Sequence, residues 1–149
     1  MIIERKGLGS VMDILIDTNI ILNLVFKRDR YEVSTEIFKQ ISKNGYAAYI
    51  TASTVTDLFY IIRKSLHDIE STYNTMEYIF KLVNVLGVMP EDITDAFQCR
   101  WKDFEDCVQY TTAINNNIDY VITENVKDYK ESGGNIVITP EEFIELMDK

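Results

Sequence analysis

The sequence predicts an α/β fold in three layers, a mostly parallel central sheet with helices on both faces. Two observations predict it. Short apolar runs rich in β-branched residues alternate with segments of helical periodicity along the whole chain. The runs also lack polar alternation, as expected of strands covered on both faces. A third observation points to where function would lie: the residues just after several strands are acidic or hydrogen-bonding, and open parallel sheets bind ligands at the carboxyl ends of their strands.

The elements follow in order. Ile14-Leu15-Ile16 reads as the first strand and ends at Asp17. Asn19 to Phe26 continues as a loop or short helix. Val33, Ile37 and Ile41 recur every fourth residue before Gly45, which marks an amphipathic helix and its stop. Ala47 to Thr51 is the second strand. Ser53 is the expected cap of a helix carrying Val55, Leu58, Phe59 and Ile62 inward. Asp68 or Ser71 opens a longer helix with Met76, Ile79, Phe80, Val83 and Leu86, ended by Gly87, and Val88-Met89 is read as a short strand. A brief helix follows with Ile93, Ala96 and Phe97. Asp103 caps a helix whose inward stripe is Phe104, Cys107, Val108, Thr111 and Ile114. Tyr120-Val121-Ile122 and Ile136-Val137-Ile138 are the last two strands. The final helix has the clearest start: Thr139 at the cap, Pro140 in the first turn and Glu142 completing a capping box.

Bulk properties narrow the class. A chain of 149 residues, 46% hydrophobic and 26% charged, is expected to form a single domain over 1–149 with one core. Residues 1–12 read as a disordered or extended N-terminal segment, with Met12 an alternative start to Met1. The longest apolar runs fall far short of the ~20 residues that span a bilayer, and no secretory pattern follows the N-terminus. Two cysteines, Cys99 and Cys107, have no metal-ligand spacing and are expected to be small buried or half-buried residues. The expected compartment is cytoplasmic. His67 is read as an exposed loop or helix-end residue, the nine tyrosines as mostly half-buried core or interface residues, and Trp101 and Phe97 as core rather than base-stacking rings. The net charge of −9 argues against a nucleic-acid partner unless the acids bind metal or the bases cluster. Lys27, Arg28 and Arg30 form one such cluster, and Arg63 with Lys64 another.

Acids converging on one pocket repel each other and resist desolvation together. A divalent cation removes that cost, and oxygen-only donors suit Mg²⁺ or Mn²⁺. Such an ion could activate water for phosphodiester cleavage. The single histidine excludes a two-histidine ribonuclease mechanism, and no glycine-rich phosphate loop is present.

Four motifs then resemble one family in order and spacing. Ile14 to Asn19, ILIDTN, resembles the opening strand of PIN domains, and Asp57 matches the acid these domains place early in the helix after the second strand. Asp103-Phe104-Glu105-Asp106, with Gln109 and Ala113 following, resembles their central acidic helix start. Tyr120 to Asp128, YVITENVKD, resembles their late strand and its turn, and Lys127-Asp128-Tyr129 the Asp-Phe that follows. The resemblance runs from about Asp13 to Met147. It implies a compact nuclease fold that binds Mg²⁺ or Mn²⁺ and cuts RNA internally, often as the toxin of a toxin–antitoxin pair and often as a homodimer. The residues it implicates are Asp17 and Asp106 as principal metal ligands, with Asp57 and Asp103 completing or orienting the site. Asn19, Thr123, Asn125 and Asp128 stand at its edge. Two positions depart from the pattern. Asn125 stands where many members carry an acid, so that Asp128 substitutes or a second metal is weak. Asp57 stands where Glu is more usual.

Each acid also has a plain structural reading. Asp17 and Asn19 suit a turn after a strand, Asp57 suits a first helical turn, and Asp103 and Asp106 have capping-box spacing. Glu105 is read as solvated. The rival to a nuclease is a PIN-like module without activity that binds RNA or a protein. A phosphatase lacks its Asp-x-Asp at the first strand, and a receiver domain its acceptor site. The Thr72 to Leu86 helix is the candidate dimer face.

Overall fold

A computed structural model describes residues 11–132 and 136–149. The proposed N-terminal segment therefore lies, up to residue 10, outside the described residues. Five strands form one parallel sheet in the order β3-β2-β1-β4-β5: β1 (Asp13–Ile16), β2 (Ala47–Thr51), β3 (Asn84–Leu86), β4 (Tyr120–Ile122) and β5 (Val137–Ile138). Between them run α1 (Thr18–Val25), α2 (Tyr31–Lys43), α3 (Ala52–Leu66), α4 (Ile69–Leu82), α5 (Pro90–Cys99), α6 (Phe104–Asn115), a 3₁₀ segment (Val126–Ser132) and α7 (Pro140–Met147).

The two-residue period of the strands divides the core. Ile14 and Ile16, Ala48 and Ile50, Ile122 and Ile138 face one side, where Ile37, Ile41, Leu58, Ile62, Met76, Ile79 and Phe143 from α2, α3, α4 and α7 cover them. Leu15, Val121 and Val137 face the other, against Ala113, Ile118 and Tyr129. Helices thus lie on both faces, as the continuous apolar strands require. The chain winds outward from β1 to β3, then returns to the other side of β1 for β4 and β5. That reversal opens a crevice between the carboxyl ends of β1 and β4. Asp17 and Thr123 leave the sheet there, their amides still paired to Ile122 O (3.0 Å) and Ile138 O (3.1 Å).

Several local expectations are corrected. Of the loop or short helix expected after Asp17, the structure has the helix, α1. The cap of α3 is Thr51, not Ser53: β2 runs straight into the helix, and Thr51 Oγ1 accepts from Thr54 N at 3.2 Å. Of the two candidates for α4, Asp68 is the cap. This helix ends at Leu82, because Val83 turns extended and the third strand is Asn84–Leu86 rather than Val88-Met89. Hydropathy conceals β3, an edge strand of three residues with little burial. Phe97 and Phe104 are exposed rather than inward, and Phe80 and Ile93 are exposed as well. On α5 the buried residues are Asp92 and Ala96. Asp92 is buried because it accepts from Met89 N (2.8 Å) and Asn115 Nδ2 (2.7 Å), a structural anchor between α5 and α6. Trp101 packs on Tyr110 and Tyr129. Tyr60, Tyr73 and Tyr78 are exposed, as is Cys99, whereas Cys107 is buried. His67 caps the C-terminus of α3 in a left-handed conformation and is exposed, as expected. No described helix is long and apolar enough to cross a membrane.

Candidate active site

The crevice opens into a cleft of about 660 Å³ lined by side chains from α1, α3, the α5–α6 region and the turn after β4. At its floor is Asp17, 7% exposed. The end of β1 places it, and the start of α1 gives it an amide: Thr18 N donates to Oδ1 at 2.7 Å. Gln109 Nε2 donates to the same oxygen at 3.2 Å, and Thr123 Oγ1 donates to Oδ2 at 2.6 Å. A buried carboxylate held by several donors on both oxygens is fixed in orientation.

Asp106 stands in the first turn of α6. Asp103 caps that helix, its Oδ1 accepting from Asp106 N at 3.0 Å, so its structural reading holds. The Asp103 side chain also lines the cleft. Burial, then the charges of Asp17, Asp103 and Asp128, push the Asp106 carboxyl up from 3.8 to about 7. Tyr129 opposes this weakly, its hydroxyl reaching Asp106 Oδ1 at 3.4 Å. Burial and the same acids push the Tyr129 hydroxyl well above its ordinary range, so it stays protonated as a donor.

The other sequence-identified residues are placed as follows. Asp57 is exposed on the α3 wall and is not among the charges that raise Asp106. Asn19 lines the cleft beside Asp17. Thr123 is buried beneath it: its hydroxyl orients Asp17 and accepts from Asn125 N at 3.0 Å, so it does not reach the cleft surface. Asn125 and Asp128 are exposed at the rim, joined by Asp128 N donating to Asn125 O at 2.9 Å. Glu105, read as pointing elsewhere, also lines the cleft, because the first turn of α6 faces it broadside.

Sequence reasoning missed the role of Gln109. It is buried, 6% exposed, and its Oε1 has no partner among the described residues. The signal was available: a long polar side chain three residues after Asp106, inside the apolar stripe of Cys107 and Val108, must find a buried partner. Ser53, Thr54 and Thr56 on α3 add hydroxyls to the wall.

The bases divide. Arg30 donates to Glu124 through Nε (2.9 Å) and Nη2 (3.1 Å) and also pairs with Glu141, which raises its pKa further. It is therefore committed to pinning α2, β4 and α7 together. Lys27 and Arg28 lie over the rings of Tyr31 and Phe26.

The donor set of the cleft is oxygen only, which suits Mg²⁺ or Mn²⁺. Among the described residues, no three acidic, His or Cys side chains stand close enough together to enclose an ion. That fits these cations nonetheless, because Mg²⁺ commonly takes one or two carboxylates, keeps several waters and fills its shell from substrate phosphate. The mutual repulsion felt at Asp106 is the cost that a bound cation would remove.

The fold is similar to that of VapBC2 from Rickettsia felis bound to a DNA fragment from its promoter, at 17% identity and a TM-score of 0.71, covering 86% of this chain and 98% of that one. It is similar to VapBC-1 from nontypeable Haemophilus influenzae, at 20% identity and a TM-score of 0.69, covering 87% and 99%. It is also similar to VapC20 of Mycobacterium tuberculosis, a sarcin-ricin-loop-cleaving toxin, at 13% identity and a TM-score of 0.57, covering 72% and 86%. No curated protein matches the chain significantly. The sequence itself matches the PIN-domain family over residues 13–127. The chain therefore belongs to the PIN-domain family.

Proposed function

We propose that residues 1–149 act as one domain, a divalent-metal-dependent endoribonuclease of the toxin type. The observation that carries the reading is the clustering of acids at the β1–β4 crevice, close enough that burial and mutual repulsion hold Asp106 near neutrality. Asp17 and Asp106 would hold the principal ion, with Asp103 and Asp57 completing or orienting the site. The ion, Mg²⁺ or Mn²⁺, supplies charge neutralisation at the phosphate and acidifies the attacking water. The chain's own residues supply the rest. Thr123, Gln109 and the Thr18 amide fix Asp17. Tyr129 donates to Asp106. Asn19, Asn125 and Asp128 line the edge where a phosphate or its water would be oriented. Attack is in line, without a covalent enzyme intermediate.

The similar structures include a toxin–antitoxin complex from Klebsiella pneumoniae. By that likeness we extend the reading to a small protein partner that holds the nuclease inactive. A homodimer fits the exposed Tyr73, Tyr78 and Phe80 of α4.

A binding module without activity is the second reading. It is favoured by Asn125 in place of an acid and by the engagement of Asp103 in capping. The test is cleavage of a labelled, structured RNA by purified protein in Mg²⁺, Mn²⁺ or EDTA, beside Asp17→Asn. The nuclease reading expects metal-dependent internal cuts that vanish in the variant. Cuts that persist in EDTA or in Asp17→Asn sink it. Binding without cuts in any metal favours the module.

A further inference from the structure

A chain of net charge −9 with an acidic cleft must neutralise RNA phosphates somewhere else on its surface. Of the two basic clusters at Lys27–Arg30 and Arg63–Lys64, the second is continuous with the cleft. A second hollow of about 420 Å³ is lined by Tyr60, Arg63, Lys64, His67, Asp68 and Ile69. Tyr60, 67% exposed, lines both this hollow and the acidic cleft. The groove holding Lys27 shares no lining residue with the cleft, and Arg30 is committed to Glu124 and Glu141. Neither Arg63 nor Lys64 is in an ion pair among the described residues.

Helix geometry makes these residues a track. Asp57, Tyr60, Arg63, Lys64 and His67 all lie on α3 or at its cap. At about 100° per residue they fall within about a third of the helix circumference. From Asp57 to Lys64 the rise is about 10 Å, the length of about three stacked nucleotides at about 3.4 Å each. An exposed ring beside paired cations is the equipment used for single-stranded nucleic acid: a face for a base, charges for the backbone.

We propose that this face of α3 is a subsite for single-stranded RNA flanking the cut. Tyr60 stacks a base beside the scissile phosphate, and Arg63 and Lys64 hold the phosphates beyond it. The subsite rests on the nuclease reading, yet its own test is binding rather than cleavage.

The probe is a fluorescein-labelled single-stranded RNA, followed by anisotropy in Mg²⁺ over a salt series. The protein carries Asp17→Asn so that the RNA is not consumed. On that background, Arg63→Gln with Lys64→Gln should weaken binding about tenfold or more. It should also flatten the dependence of log Kd on log salt by about 1.4, at about 0.7 for each phosphate no longer neutralised. Tyr60→Ala should weaken binding by about tenfold with the salt slope kept. The control, Lys27→Gln with Arg28→Gln, removes the same charge elsewhere and should leave the slope unchanged. Equal losses from both double variants would reduce the effect to net charge and overturn the subsite. So would an unchanged slope in the α3 variant, or competition by polyglutamate as effective as by unlabelled RNA, which would make the face a docking site for an acidic protein. If wild type neither binds nor cuts the RNA, the subsite and the RNA-cutting reading fall together. If wild-type cleavage is metal-dependent while the α3 variants bind normally, only the subsite falls.

Discussion

Replacing Asp106 by Asn should stabilise the metal-free protein, and the size and pH dependence follow from the cleft. Asp106 ionises at about 7 in the folded chain against 3.8 ordinarily, because it is partly buried and faces Asp17, Asp103 and Asp128. The folded state therefore keeps a proton that the unfolded state loses between those two values. Stability falls as pH rises through that window, and the full penalty is present above it. The upper bound is about 4 kcal/mol at pH 8. Water in the open cleft screens a half-buried carboxylate, so the observable part is on the order of 1–2 kcal/mol. Asn keeps the shape and an oxygen for the Tyr129 hydroxyl while removing the charge. In EDTA at pH 8, Asp106→Asn should melt about 3–6 °C above wild type by calorimetry. At pH 4.5, partway through the window, the gain should shrink to about half of that. A variant that melts lower than wild type at pH 8, or gains equally at both pH values, would refute the reasoning that repulsion in the cleft destabilises the fold.

Three further outcomes follow from the same site and its supporting core. Thr123→Val deprives the buried Asp17 carboxylate of its 2.6 Å donor and should cost about 1.5–3 kcal/mol in urea denaturation; no loss would mean that Asp17 is not held by this bond. Gln109→Leu removes a donor to Asp17 and should lower metal affinity or RNA cleavage about 10- to 100-fold, as loss of a ligand-orienting partner does. Unchanged activity would leave Gln109 a packing residue. Leu58→Ala, at a fully buried position between α3 and the sheet, should cost about 2–5 kcal/mol by denaturation while leaving the pH dependence of stability as in wild type.

The sequence displayed the fold where burial is two-sided. Ile14-Leu15-Ile16 and Tyr120-Val121-Ile122 declare themselves because each residue has a covered face to occupy, and adjacent runs of this kind pair. β3 does not, because an edge strand with exposed side chains carries little hydropathic signal. The amphipathic reading also failed at Phe97 and Phe104, which pack edge to face at 6.3 Å on the surface rather than in the core. In the site, Asp17 was legible from its place after a buried strand, and the return of the chain at β4 explains why Thr123 meets it across 106 residues of sequence. That partnership belongs to topology and no local motif encodes it. The same holds for Arg30, whose hydrogen bonds to Glu124 span 94 residues and remove it from the basic cluster that sequence alone suggests. Asp103 carries two legible meanings at once, cap and cleft wall, and the geometry keeps both.

The central claim is that Asp17 and Asp106 jointly hold a divalent ion. The most direct measurement is Mn²⁺ binding followed by electron paramagnetic resonance of the free ion, at pH 7.5, for wild type, Asp17→Asn and Asp106→Asn. The account predicts saturable uptake by wild type and loss of that uptake in both variants, with Mg²⁺ displacing Mn²⁺ from wild type. Uptake of equal affinity in either variant would contradict it.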